Sequence, residues 1–306
     1  MAQQSASLPP LDVTRAPEGG DVGPVQSGWR LALREFSRNR LGVVGVVILL
    51  FFVVFCFLGP YLYHANLVQV NLINSHDPPG AGHPLGTDAN GFDILGELMQ
   101  GGQDALEIGF FAAFVAITIG SLVGSVAGFA GGLIDSTLMR VVDVFLSIPF
   151  LFIVLILAVK YGATVLSLSL VIGAFSWQVP ARLVRGEVLS IRERDFVAAA
   201  RAAGSGSWRL IGRHLLPNAL GVVIVNVTFQ VADAILAVAY IGFLGFGLHY
   251  PNLDWGDMIS DGVTYMQDGY WWLIYPVGVC IVLTVMSLNF IGDALRDSLD
   301  VRLRRR

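Results

Sequence analysis

Apolar residues in this chain gather into long unbroken blocks instead of recurring at a helical or strand period. Leu41–Leu58 runs for 18 residues without a charge and Ile108–Ala130 for 23. At a rise of about 1.5 Å per residue, either block crosses a hydrocarbon core of roughly 30 Å as a helix. The blocks predict an all-α membrane protein of about six transmembrane helices, near 41–60, 106–130, 138–159, 163–181, 219–245 and 272–291. Asn226, Gln230 and Asp233 interrupt the fifth span. Pro149 and Pro276 fall inside spans and predict kinks. Trp271 and Trp272, at the start of the sixth, predict interfacial anchors. Residues 1–28 are polar and rich in Pro and Gly, and read as a disordered, retained tail. The chain then divides into 29–104, a first span with a large outer segment, 105–300, a membrane core, and 301–306, a basic tail.

Composition agrees with the blocks. Of 306 residues 55% are hydrophobic and 14% charged, against about 25% charged in a soluble domain. The mean hydropathy is +0.67. Basic residues set the orientation. Arg15, Arg30, Arg34, Arg38 and Arg40 precede the first span, and Arg140 follows the second. Arg182, Arg185, Arg192, Arg194, Arg201, Arg209 and Arg213 lie between the fourth and fifth. Arg296, Arg302 and Arg304–Arg306 follow the sixth. Only Lys160 falls on the other side, so 18 of the 19 basic residues mark one face, which the rule makes the cytoplasm, with both termini inside. The net charge of −4 hides this asymmetry, because the outer segments carry Asp77, Asp88, Asp93, Asp254, Asp257, Asp261 and Asp268. Cys56 and Cys280 both fall in spans and read as small apolar side chains.

The single lysine excludes one chemistry. Lys160 has no glycine loop before it, so the chain carries no phosphate-cradling P-loop and is not an ATPase by that route. The histidines His64, His76, His83, His214 and His249 show no ligand spacing, and no nucleophile constellation appears. The chain reads as a non-catalytic subunit without a metal.

The segment Asp195–Pro217 reads as a helical elbow. Asp195 is placed to cap a first helix, Ala198–Ala203 favours helix, Gly204 suits the left-handed turn, and Ser205 or Ser207 is placed to cap the next helix. Ala198, Ala199, Ala202 and Ala203 leave a surface without bulk that another backbone can approach. A plain linker between spans would not need this small-residue helix. A DNA-reading helix-turn-helix would have to reach a major groove from short membrane tethers, so no nucleic-acid partner is expected.

Ala198-Ala199-Ala200 through Gly204 to Leu215-Leu216-Pro217 resembles the EAA loop of the permease subunits of ABC importers, with Ala198 where the family usually has Glu. Arg213-His-Leu-Leu-Pro-Asn218 is similar to the corresponding stretch of the peptide-type branch of that family. His83-Pro-Leu-Gly-Thr-Asp88-x-x-Gly91-x-Asp93 resembles the outer motif of dipeptide and oligopeptide permeases of the C type, with Phe92 in place of the usual Arg. Ser147-Ile-Pro149, Trp177, Ala181-Arg182-x-x-Arg185, Gly242-Phe-Leu-Gly-Phe-Gly247, Trp255-Gly256 and Asn289 through Asp297 extend the likeness over about 83–300. The resemblance implies a type I importer fold. It makes about 190–217 a coupling loop in which Ala198, Ala199, Ala200, Ala203, Gly204 and Ser205 meet an ATPase. The implied partners are a homologous second permease, two ABC ATPase subunits that bind ATP and Mg, and an extracytoplasmic substrate-binding protein, in the lipid of a prokaryotic cytoplasmic membrane. The implied cargo is a di- or oligopeptide, with nickel or glutathione as alternatives.

Other positions remain open between packing and function. Gly120, Gly124 and Gly128 at four-residue spacing suit close helix packing in lipid. Asn226, Gln230 and Asp233, at i, i+4 and i+7, share one helix face and read either as a translocation path or as interhelical hydrogen bonding. Asp143 is expected to pair with Arg140 or with an arginine of the elbow. A proton-driven secondary transporter using Asp233 and Asp143, and a membrane anchor for a signalling complex, are the rivals from other classes.

Overall fold

A computed structural model describes residues 28–304, which form helices without a strand. The predicted 1–28 tail lies outside the described residues except for Gly28, the first residue of α1 (Gly28–Arg38). Asn39 accepts from the Gly42 amide at 3.2 Å and starts α2 (Arg40–Leu62), the first apolar block.

The long central helix is α3 (Ile94–Ala130). It begins twelve residues before the predicted 106 because Asp93 caps it, accepting from the Gly96 amide at 3.1 Å. Glu97, Gln103, Asp104 and Glu107 had broken the apolar run there without breaking the helix. Its 37 residues span about 55 Å. Gly120, Gly124 and Gly128 face α7 (Gln178–Arg192). A side chain at 120 would meet Pro180 at 2.6 Å, and one at 128 the Arg185 carbonyl at 2.9 Å. The glycine spacing is therefore a packing stripe between two backbones.

The third and fourth predicted spans are not continuous. α4 (Gly132–Ser147) and α5 (Phe150–Tyr161) meet at 79°, because Pro149 ends one helix and starts the next. α6 (Val165–Ala174) and α7 meet at 47° across residues 175–177. Among the described residues four helices are long and apolar enough to cross a membrane, or up to six spans if each bent pair counts as one.

Beyond α7 lie α8 (Asp195–Ala202), α9 (Ser207–Leu210), a π turn (Ile211–Leu215) and α10 (Leu216–Phe243). Pro217 lacks an N–H and would crowd the carbonyl four residues back. The wide turn accommodates it, with Leu216 N–H donating to the Ile211 carbonyl. α11 (Trp255–Thr264) and α12 (Tyr275–Arg304) complete the bundle. Pro276, expected to kink the last span, sits at the second position of α12, where its missing N–H costs nothing. Trp271 is exposed as an anchor should be, but Trp272 is buried and donates to the Thr87 carbonyl at 3.2 Å.

Candidate functional site

The elbow is built as a strut. Arg194, not Asp195, occupies the cap position of α8, and Gly206 that of α9 without a side-chain cap bond, so neither Asp195 nor the serines cap as expected. Gly204 has φ +81°, and Ser205 N–H reaches back to the Ala200 carbonyl at 3.1 Å, closing the helix with a left-handed turn. Ala198, Ala199, Ala203 and Gly204 are exposed, while Ala200 and Ser205 are half-buried. Among the described residues, its two chain neighbours aside, no atom lies within 4 Å of where a Gly204 side chain would begin. Trp208 is 75% exposed beside it.

Val197, the buried side chain of α8, anchors the strut. It joins Val184, Val188 and Ile191 of α7, Leu210 and Leu215, and Ala219 and Val223 of α10 in one apolar cluster. Arg201 lies over the Phe129 ring at 5.6 Å and ties the elbow to the end of α3. Asp143 pairs with Arg182 of α7, and neither Arg140 nor an elbow arginine is its partner. Asp135 of α4 receives both arms of Arg185.

A cavity of about 1380 Å³ opens between α5, α7, α10 and the last part of α12. Asn226, Gln230 and Asp233 all line it, joined by Phe229 and Tyr240 of the same helix. Gln178, Arg182, Glu187 and Arg194 line it from the other side, and Arg296 of α12 lines it too. The sequence reading missed this second wall, although Gln178, Arg182 and Glu187 recur at about one helical turn on α7. Pro217, Asn218 and Leu299 line the cavity at its arginine-rich end.

At the opposite end the two acidic segments pack together. Asp104 accepts from Asn252 at 3.1 Å and from the Leu253 amide at 3.0 Å. Trp255 donates to the Leu98 carbonyl at 3.1 Å. In the outer motif, Asp93 accepts from Tyr63 at 2.7 Å and lies 2.9 Å from His83 Nδ1. Burial, helped by the Asp93 hydrogen bond, pushes the Tyr63 phenol up to about 12. Asp93 thus has its partners although Phe92 replaces the arginine the motif usually carries. Among the described residues no group of three His, Cys, Asp or Glu side chains could hold a metal ion.

Comparison with known proteins follows this geometry. The family described as binding-protein-dependent transport system inner membrane component matches residues 94–305. The N-terminal TM domain of oligopeptide transport permease C matches 27–79. The dipeptide transport system permease protein DppC of Bacillus subtilis is 37% identical over 92% of this chain and 86% of its own length. The oligopeptide transport system permease protein OppC of Escherichia coli K12 is 37% identical over 91% of this chain and 93% of its own. A solved inward-facing chain of the MetNI methionine ABC transporter superposes with a TM-score of 0.55 at 22% identity, over 66% of this chain and 96% of its own, which supports the fold.

Proposed function

The chain belongs to the family of binding-protein-dependent transport system inner membrane components, and from that membership we propose that it is the C-type permease of an ATP-driven importer of di- or oligopeptides. It is an integral membrane protein and a permease subunit of an ABC transporter, which sets aside the proton-driven carrier and the signalling anchor. The observation that carries the coupling mechanism is the position of the elbow. It joins α7 to α10, the two helices that form facing walls of the cavity, and is fused to both through the cluster around Val197.

ATP binding would draw two partner ATPases together, with ATP and Mg held in those subunits and no cofactor in this chain. Each elbow follows its ATPase, docked through Ala198, Ala199, Ala200, Ala203, Gly204 and Ser205. Because the elbow and the ends of α7 and α10 move as one packed body, the cavity walls move with it. The cavity closes at the arginine-rich, cytoplasmic end and opens towards the substrate-binding protein. A homologous second permease supplies the other half of the path, in a prokaryotic cytoplasmic membrane. Asn226, Gln230 and Asp233 meet the cargo.

Purification of the tagged chain from its native membrane in mild detergent tests this. A related permease and one or two P-loop ATPases should copurify. A homo-oligomer without an ATPase would overturn the proposal.

A further inference from the structure

Two acidic side chains line the cavity, Glu187 and Asp233, and among the described residues neither makes an ion pair or hydrogen bond; Asp233 lies further from the elbow along its helix. Asp233 lies 16 residues beyond Pro217 on α10, about 24 Å further along the helix. It is exposed to the cavity and makes no hydrogen bond or ion pair among the described residues. The other charges lining the space, Arg182, Glu187, Arg194 and Arg296, belong to other helices, and Arg182 is already paired with Asp143. A lone carboxylate at membrane depth is costly, and is retained where it faces a path or a partner.

Its neighbours indicate the chemistry. Phe229 sits one turn before Asp233 and Tyr240 two turns after it, both lining the same cavity, with Gln230 between. A carboxylate with aromatic rings one and two turns away on the same cavity wall suits an organic cation, since aromatic rings and the acid both attract an ammonium or guanidinium group. A bare metal ion would need further ligands, and the described residues bring no third carboxylate, thiol or imidazole to such a centre.

We propose that Asp233 is a cation-selective station in the path, where the ammonium or guanidinium side chain of a passing peptide is held between the carboxylate and the aromatic rings. The proposal rests on the permease reading. It makes this chain, and not the binding protein alone, a determinant of which cargo crosses. Cationic cargo gains a favourable step midway, while anionic cargo meets repulsion at the same depth.

The test uses the whole complex in proteoliposomes, with its binding protein preloaded with radiolabelled Ala-Lys, Ala-Gln or Ala-Glu. Wild type should import all three with ATP, Ala-Lys fastest. Asp233→Asn should lower the Ala-Lys to Ala-Gln ratio about fivefold, the scale of one partly screened charge pair. Asp233→Lys should raise Ala-Glu above Ala-Lys, and Asp233→Glu should restore the wild-type order. Equal loss for all three peptides, or failure of the complex to assemble, would show that Asp233 serves helix packing and would overturn the station. Unchanged ratios would overturn it as well. No ATP-dependent uptake by wild type would reject the permease reading itself, and the station with it.

Discussion

Asp254 sits in a notch that Gly242 leaves open. A side chain at 242 would begin inside the Asp254 carboxylate, and Gly247 clears the other side of the same group. With that room the carboxylate accepts from the Leu248 amide at 2.9 Å and from the Asp257 amide at 2.8 Å, capping α11 and pinning the turn after α10. The Gly-Phe-Leu-Gly-Phe-Gly run thus exists to admit an acid seven residues beyond it. Gly242→Ala should displace that carboxylate, strand two amides and lower stability by about 2–3 kcal/mol. Thermal unfolding in detergent measures it. Gly278→Ala in α12, where no atom lies within 4 Å, should leave the unfolding temperature unchanged or slightly raised.

The packing stripe gives a second comparison. Gly124→Ala would place its methyl group against the Ala181 carbonyl of α7, so α7 must shift. A loss of about 1–3 kcal/mol follows, and ATP-driven uptake should fall with it because α7 is a cavity wall. A fully active, equally stable variant would show that α3 and α7 are not locked together.

For the elbow, Gly204→Leu should uncouple the importer. Among the described residues the new Cβ meets nothing, and the substitution strains one left-handed residue, a cost of about 1–2 kcal/mol. Insertion and fold should therefore survive. Uptake should collapse and the ATPases should lose their response to loaded binding protein, because on the proposed docking a leucine would occupy the partner's surface. Normal uptake would exclude docking at this turn.

Arg185 holds Asp135 through two hydrogen bonds, Nη2 to Oδ2 at 2.6 Å, across a half-buried contact between α7 and α4. Arg185→Ala leaves the mostly buried Asp135 without its partner, and should cost more than Asp135→Ala. A double-mutant cycle should return a coupling of about 1–2 kcal/mol.

The acidic outer end should respond to pH. Burial raises the carboxyls of Asp254, Asp257 and Asp261 above their ordinary values, and carboxylate neighbours add to the rise at Asp257 and Asp261. A raised folded-state value means the folded form binds more protons. Its stability is therefore fullest below the ordinary carboxylate value and declines as pH climbs through the raised ones. Residues 246–271 should be cut by protease faster at about pH 8 than at about pH 5. Asp257→Asn should narrow that difference, and an unchanged difference would remove Asp257 from the effect.

Local chemistry was enough for much of this protein. Unbroken apolar blocks determined the first span and the apolar parts of α3, α10 and α12, because burying a backbone in lipid demands a helix of that length. The elbow and its Gly204 turn were legible for the same local reason, since only glycine takes that φ without strain. So was the shared face of Asn226, Gln230 and Asp233, which follows from helical period alone. Tertiary structure decided the rest. Hydropathy could not see the bend at 175–177, because Phe175-Ser176-Trp177 carries neither charge nor proline, although Pro149 had predicted the kink between α4 and α5. Nor could it extend α3 back to Ile94, where buried Asp104 is compatible with helix only because Asn252 and Leu253 come from 148 residues away to satisfy it. The pairing of Asp143 with Arg182 and the second cavity wall likewise depend on which helices meet. A linear pattern records each residue's preference for lipid or water, whereas partners and cavities arise only when distant surfaces are brought together.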